Sequence, residues 1–387
     1  MPLLAHAQDG VEPYPAAGPP SSGVALSVIR DKVIAPVTVN GEGPYPFILD
    51  LGIEHPVLSR EIAAALKPDA APAEPTQGPN PTGTQNAESV IEVQELRLGD
   101  AASRPGRALI MDLAPFKTTL GIEIAGLFSG RELGERVLID FADNTISVRS
   151  LSGDAPRPTD TRSVRLRLDE RGQPVVSALI DGKHVRSFLV DTTFGGVMAM
   201  PKQALRDLGL FSDATPRLAA EPMHEGGPDQ AATLSEKMQI RLKSLRVGGA
   251  EIQRPFCSVL PSEESPRIGL GFLKYFRATF DFEVELLQLE HKGALPIVCG
   301  PVVSCGLTPA WFAEGYWSVW VAKDSPAAKA NIRSGTRLIE VNGTDLKDAS
   351  YTEVAGKLAA EEGGTLSVTV LQGGETRTTP LAVQPLL

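Results

Sequence analysis

The chain has 387 residues, 42% hydrophobic and 22% charged, which is room for two or three domains and not the composition of a disordered segment. Thirty-seven Lys and Arg against 47 Asp and Glu leave a net charge of −10, which argues against a nucleic-acid partner, because a phosphate backbone calls for a basic face. No run approaches the roughly 18 apolar residues of a membrane span, and no Cys/His cluster has metal-ligand spacing, so no membrane span, metal or cofactor is expected.

The first eight residues include Leu3-Leu4 and the small-x-small triplet Ala5-His6-Ala7, the pattern at the end of a secretory signal. The expectation is an exported protein, periplasmic or secreted, with residues 1–23 as a signal remnant and a Pro/Gly/Ser-rich lead-in. Order begins with the strand-like run Val33–Asn40, a turn at Gly41-Glu42-Gly43, and the apolar strand Phe47-Ile48-Leu49 that ends at Asp50. Ser59 can cap a short helix over Arg60–Leu66. Residues 151–162 read as a linker.

The same pattern then returns 141 residues later. Val175–Ile180, the turn Asp181-Gly182 and the strand Phe188-Leu189-Val190 end at Asp191, and Pro201 opens a helix over Lys202–Leu208. Gly130, Asp140 and Phe141 match Gly271, Asp281 and Phe282 at the same offset. Leu96–Gly99 resembles Leu245–Gly248 at a longer one, as expected where loops absorb insertions. The pattern predicts two homologous, mainly β domains over residues 24–150 and 163–292. Abundant Gly and Pro, with few aromatic residues, fit short strands and frequent turns.

Each copy delivers a carboxylate from a buried strand into a Gly/Thr-bearing loop. If the copies pair about a pseudo-twofold axis, Asp50 and Asp191 meet. Two carboxyls a few ångströms apart do not both ionise readily, so one keeps a proton. Such a pair can activate water and protonate a leaving amine without a metal.

Here the residues resemble a known family. The segments GPYPFILDLGIEHPVLS and VRSFLVDTTFGGVMAM are similar to the two active-site loops of bacterial retropepsin-like aspartic proteases that carry two such domains in tandem and a PDZ domain. AGLFSGRELGERVLIDFADNTISV and RIGLGFLKYFRATFDFEVELLQLE resemble the later Gly-containing segments and closing strands of that family. The resemblance implies two acid-protease β-barrel halves forming an intramolecular pseudo-dimer within a monomer, with Asp50 and Asp191 catalytic. Both loops depart from the family's Asp-Thr-Gly. The first is Asp50-Leu51-Gly52, whose leucine lacks the hydroxyl that locks the loops in the family. The second is Asp191-Thr192-Thr193, whose last residue puts a β-branched side chain where substrate backbone approaches, with Gly195-Gly196 as possible compensation. In the family a mobile hairpin closes over substrate; the candidates are Thr82-Gly83-Thr84 and the region of Gly226-Gly227. His55 and His224 read as ordinary surface histidines.

From residue 303 to 387 the chain reads as a separate unit. Trp317–Val321 and Arg337–Val341 are strands, Asn342-Gly343 a hairpin signal, Ser350 and Glu353 a capping box, and Thr365–Leu371 with Thr376–Leu381 a final hairpin. DSPAAKANIRSGTRLIEVNGTDL resembles the core of a bacterial PDZ domain. That implies peptide capture as an added strand, in a groove expected at Gly315, Tyr316, Val319, Tyr351, Val354 and Leu358. The loop Glu314-Gly315-Tyr316, where a terminal carboxylate would sit, places an acid against it. Cys299 and Cys305 lie near enough in sequence to bridge, leaving Cys257 over; the alternative is three buried thiols. No P-loop, serine-hydrolase elbow or dinucleotide fingerprint is present. Two readings remain: an aspartic endopeptidase acting on polypeptides, or a catalytically degenerate scaffold that binds peptide ligands.

Overall fold

The computed structural model describes residues 23–66, 89–149, 163–220, 223–225, 233–235, 238–261, 263–291, 293, 296–312 and 315–387. The predicted lead-in (but for Gly23) and the linker 151–162 fall outside these residues.

Lys32–Val39 and Glu42–Leu49 pair antiparallel, with Ile34 opposite Ile48 and Ala35 opposite Phe47. Their turn lies at Asn40 and Gly41, with φ of 51° and 82°, rather than at the expected Gly41-Glu42-Gly43, because Glu42 and Gly43 already belong to the second strand. This left-handed geometry closes a two-residue hairpin in keeping with strand twist. Pro174–Ile180 and His184–Val190 repeat the arrangement, turning at Asp181 and Gly182 with φ of 50° and 70°. The short helices follow where capping predicts them. Arg60–Ala65 starts at Ser59, whose hydroxyl accepts from Ile62 N–H, and Lys202–Asp207 follows Pro201.

Each Asp-bearing strand is held at its end by a third segment. Gly126–Phe128 pairs parallel with Phe47–Leu49 and antiparallel with Val57–Leu58. In the second half Arg267–Ile268 pairs parallel with Leu189–Val190 and antiparallel with Met198–Ala199. Gly126 has no substitute: a Cβ there would lie 2.3 Å from both the Phe47 ring and the Val57 carbonyl. The consequence is a rigid exit for each aspartate. Asp50 N–H donates to Phe128 O at 2.8 Å and Asp191 N–H to Ile268 O at 2.9 Å.

The two halves share a sheet. Arg136–Asp140 pairs with Thr145–Arg149 on one edge and with Arg277–Asp281 on the other, and Leu286–Glu290 continues the sheet. In the joining register Leu138 faces Thr279, Arg136 faces Asp281 and Asp140 faces Arg277. Two ion pairs result, Arg136–Asp281 at 2.5 Å and Arg277–Asp140 at 3.0 Å. Val137, Ile139, Ala278 and Phe280 bury the inner face completely. A single apolar core runs through both halves, from Leu26 to Cys299. Each of its fully buried phenylalanines, such as Phe47, Phe128, Phe188 and Phe280, stabilises the fold by roughly 1.5–3 kcal/mol.

The C-terminal unit is an antiparallel sheet in the order Leu307–Phe312, Tyr316–Val321, Arg337–Val341, Thr365–Gln372, Glu375–Ala382. The helix Tyr351–Leu358 opens with the expected capping box of Ser350 and Glu353. A core of its own includes Leu307, Trp317, Val319, Val354, Leu358 and Val370. It docks on the body through Ala322, which bridges to Ala220, and through Lys323 N–H to Ala219 O at 2.7 Å. Arg241 clamps the chain end, donating to Gly300 O at 2.7 Å and Leu387 O at 3.0 Å. Arg30, from the turn before Lys32, stacks its guanidinium 3.8 Å over the Tyr351 ring. No disulfide joins Cys299 and Cys305: all three cysteines are buried thiols. The reason is tertiary, since Cys299 packs in the core of the body and Cys305 in that of the C-terminal unit.

Candidate active site

The loops after the two apolar strands touch. The Thr192 hydroxyl, fully buried, accepts from Leu51 N–H at 3.2 Å and donates to Leu49 O at 3.1 Å. It is half of a reciprocal lock. The other half would need a hydroxyl at position 51, and Leu51 instead joins the apolar core.

The carboxyls are oriented from below by the loops' own backbone. Asp50 Oδ1 accepts from Gly52 N–H at 2.9 Å, and Asp191 Oδ1 accepts from Thr193 N–H at 2.9 Å. Thr193, expected to crowd the cleft, turns its hydroxyl onto Asp191 Oδ1 at 2.7 Å. Gly195 and Gly196 are used for close packing rather than for opening space. A Cβ at Gly195 would lie 2.3 Å from Asp31 Cγ, and one at Gly271 would lie 2.6 Å from the Gly196 carbonyl carbon.

Two cations enter the site that the sequence did not single out. Arg267 Nη1 reaches Asp191 Oδ2 at 3.3 Å, while its Nη2 holds Glu264 at 2.7 Å. The Lys32 ammonium donates to Thr193 O. On the opposite side Gln173 Nε2 donates to Gly52 O at 3.4 Å. The signal was present in the spacing: Lys32 and Gln173 differ by the same 141 residues as the two aspartates, as do Gly126 and Arg267. Without the loops facing one another, nothing linked these positions to the site.

The electrostatics are unequal. Burial pushes the Asp50 carboxyl up to about 7, and the neighbouring Asp191 charge adds to the rise; Gly52 N–H and Lys32 oppose it. Burial lowers the Lys32 ammonium, while Asp191, Asp50 and Asp31 favour its charge. Asp191 keeps a side-chain exposure of 20%, whereas Asp50 is buried. Among the described residues no group of His, Cys, Asp and Glu is arranged to hold a metal ion.

Of the flap candidates, Thr82, Gly83, Thr84, Gly226 and Gly227 lie outside the described residues. The strands Met223–Glu225 and Thr233–Ser235 on either side of the second candidate pair as an antiparallel hairpin.

The peptide groove requires a correction. Tyr316–Val321 has neighbours on both edges, Leu307–Phe312 along its length and Arg337 opposite Ser318, so it cannot accept an added strand. Val319 is fully buried between them. Gly315 and Tyr316 belong to the hairpin turn, where Gly315 N–H donates to Phe312 O at 3.0 Å and Tyr316 stacks on Phe312. Tyr351, Val354 and Leu358 are core residues of the unit. The helix that carries them packs against Leu307–Phe312, the end strand of the sheet. On the helix side the open edge of the sheet is Leu307–Phe312. With Pro309 interrupting Leu307–Phe312 the sequence shows no strand there and points one strand inward, and only the pairing order says which is the edge.

Residues 35–130 match the aspartyl protease family model and residues 317–372 match that of the PDZ domain. The chain thus carries an aspartyl-protease-type domain and a PDZ domain. No curated protein matches it. Among solved structures, a photosystem II D1 C-terminal processing protease is 28% identical over 21% of this chain and 23% of its own length, with a TM-score of 0.21. A retropepsin-like aspartic protease from Rickettsia conorii is 19% identical over 33% of this chain and 90% of its own, with a TM-score of 0.26.

Proposed function

We propose that the chain is an aspartic endopeptidase whose two halves, residues 24–150 and 163–292, arose by duplication and pair about a pseudo-twofold axis within one monomer. The joining register supports the pairing. Leu138 and Thr279, equivalent at the 141-residue offset, face each other, and the equivalent ion pairs Arg136–Asp281 and Arg277–Asp140 lie on either side. The observation that carries the reading is the Thr192 hydroxyl bridging the two loops, which holds Asp50 and Asp191 close enough for one charge to raise the other's carboxyl.

In this reaction the ionised carboxylate takes a proton from a water lying between the pair. The water oxygen attacks the peptide carbonyl carbon, and the protonated carboxyl hydrogen-bonds the carbonyl oxygen. Proton transfer to the amide nitrogen then breaks the C–N bond, releasing a carboxylic acid and an amine. The PDZ unit, residues 303–387, presents substrate polypeptide as a strand along Leu307–Phe312. Digestion of a peptide library between about pH 3 and 7 by wild type, Asp50→Asn and Asp191→Asn tests the assignment. Cleavage that disappears in both variants supports it; cleavage that neither variant changes belongs to a contaminant and removes it.

Two observations favour a second reading. Arg267 occupies Asp191 Oδ2, an oxygen that would otherwise face the water, and Leu51 removes half of the lock. A scaffold that binds extended polypeptide without cutting it would tolerate both. Peptide binding without cleavage at every pH tested would favour that reading.

A further inference from the structure

The site has a built-in symmetry, and two residues break it. At the third residue of each Asp loop, a side chain from the opposite half donates to the backbone carbonyl: Gln173 to Gly52 O and Lys32 to Thr193 O. The fold therefore accepts a neutral amide in this role, and one half uses an ammonium instead. The second break lies on the strands beneath. Gly126 brings no side chain to the Asp50 side, whereas its counterpart Arg267 places a guanidinium on Asp191 Oδ2. Arg267 puts positive charge on Asp191 itself, and Lys32 sits where both carboxyls feel it, Asp191 more than Asp50.

We propose that Lys32 is a positioning residue that, with Arg267, makes Asp191 the carboxylate that stays ionised and leaves the shared proton on Asp50. This rests on the reading of the pair as a functional dyad. The surrounding groups agree. Asp191 faces Asp50, Lys32 and Arg267, and its two oxygens accept from Thr193 N–H, the Thr193 hydroxyl and Arg267. Among the described residues Asp50 faces Asp191 and the cation Lys32, and receives a backbone N–H from Gly52. Lys32 is bounded by Asp31 and Arg30 on its own turn, and Arg267 by Glu264. Glu54 and His55, further along the Asp50 loop, are exposed. Burial acts in the same direction, because Asp50 is the more enclosed of the two and its carboxyl is raised to about 7.

The test separates charge from hydrogen bonding. Lys32→Gln keeps a donor of the kind Gln173 supplies and removes the charge; Lys32→Arg keeps the charge. The full chain carrying 13C-carboxyl aspartate is titrated by NMR, with Asp50→Asn and Asp191→Asn assigning the two signals. The expected result is a near-neutral titration that vanishes in Asp50→Asn and remains in Asp191→Asn. Removing a cation favours the protonated carboxyl, and Lys32 acts on Asp191 more than on Asp50, so Lys32→Gln narrows the separation between the two carboxyl titrations by about one pH unit, and Lys32→Arg leaves it in place. A purely structural lysine would leave that separation unchanged in Lys32→Gln, and that result overturns the proposal. So does a near-neutral titration that belongs to Asp191. Peptide cleavage is scored separately. Unequal titration without cleavage sinks the protease reading alone, and cleavage with equal titration sinks only the assignment of the proton.

Discussion

Replacing Thr192 with valine keeps the shape of the side chain and removes the one hydroxyl that joins the two loops. Two backbone groups lose their partner, the N–H of Leu51 and the carbonyl of Leu49, and both residues are fully buried. Leaving a buried donor or acceptor unmet costs about 1–3 kcal/mol. With the low ends of the two ranges added, Thr192→Val should lose at least about 2 kcal/mol. Thr192→Ser keeps the hydroxyl and loses one methyl, worth about 1 kcal/mol. The order of the two variants is the test. If the bridge matters, valine is the more harmful; if only packing matters, serine is. Urea unfolding followed by far-UV circular dichroism reads the β-rich body. All three tryptophans, Trp311, Trp317 and Trp320, lie in the C-terminal unit, so their fluorescence provides a separate probe that the change should move less. A valine midpoint at or above that of serine would refute the account of the loop lock.

The joining sheet makes a second prediction. Arg136→Met strands the Asp281 carboxylate, whose side chain is 6% exposed, and should cost about 2–4 kcal/mol after allowance for the 24% exposure of Arg136. The double variant Arg136→Met/Asp281→Leu should recover most of that loss in the same urea titration; no recovery would mean the strand contact, not the ion pair, holds the halves. Asp50 predicts a pH dependence. Its carboxyl is raised from 3.8 to about 7, so between those values the folded chain keeps a proton that the unfolded chain has released. Stability should therefore fall as pH rises through that window, by up to about 4 kcal/mol, and Asp50→Asn should flatten this part of the profile in thermal melts. A profile identical in the variant would remove Asp50 as its source.

Local chemistry is what a linear chain displays. Alternating apolar residues made both hairpins readable, Asn40-Gly41 and Asp181-Gly182 turn the chain through left-handed φ, and Ser59 and the Ser350/Glu353 pair cap their helices as expected. The constant spacing between Asp50 and Asp191 pointed to the site because each of two similar hairpins ends in an aspartate, and the loops that follow them touch. Lys32 and Arg267 were not readable in that way, since a cation near a strand end looks the same whether it meets water or a carboxylate. Their partners, Thr193 and Asp191, lie 161 and 76 residues away, and only the closing of the sheets brings them together. The PDZ groove failed for the same reason. The apolar pattern marks Trp317–Val321 as a strand and passes over Leu307–Phe312, and which strand keeps an unpaired edge depends on hydrogen bonds to Arg337–Val341 that no local preference encodes.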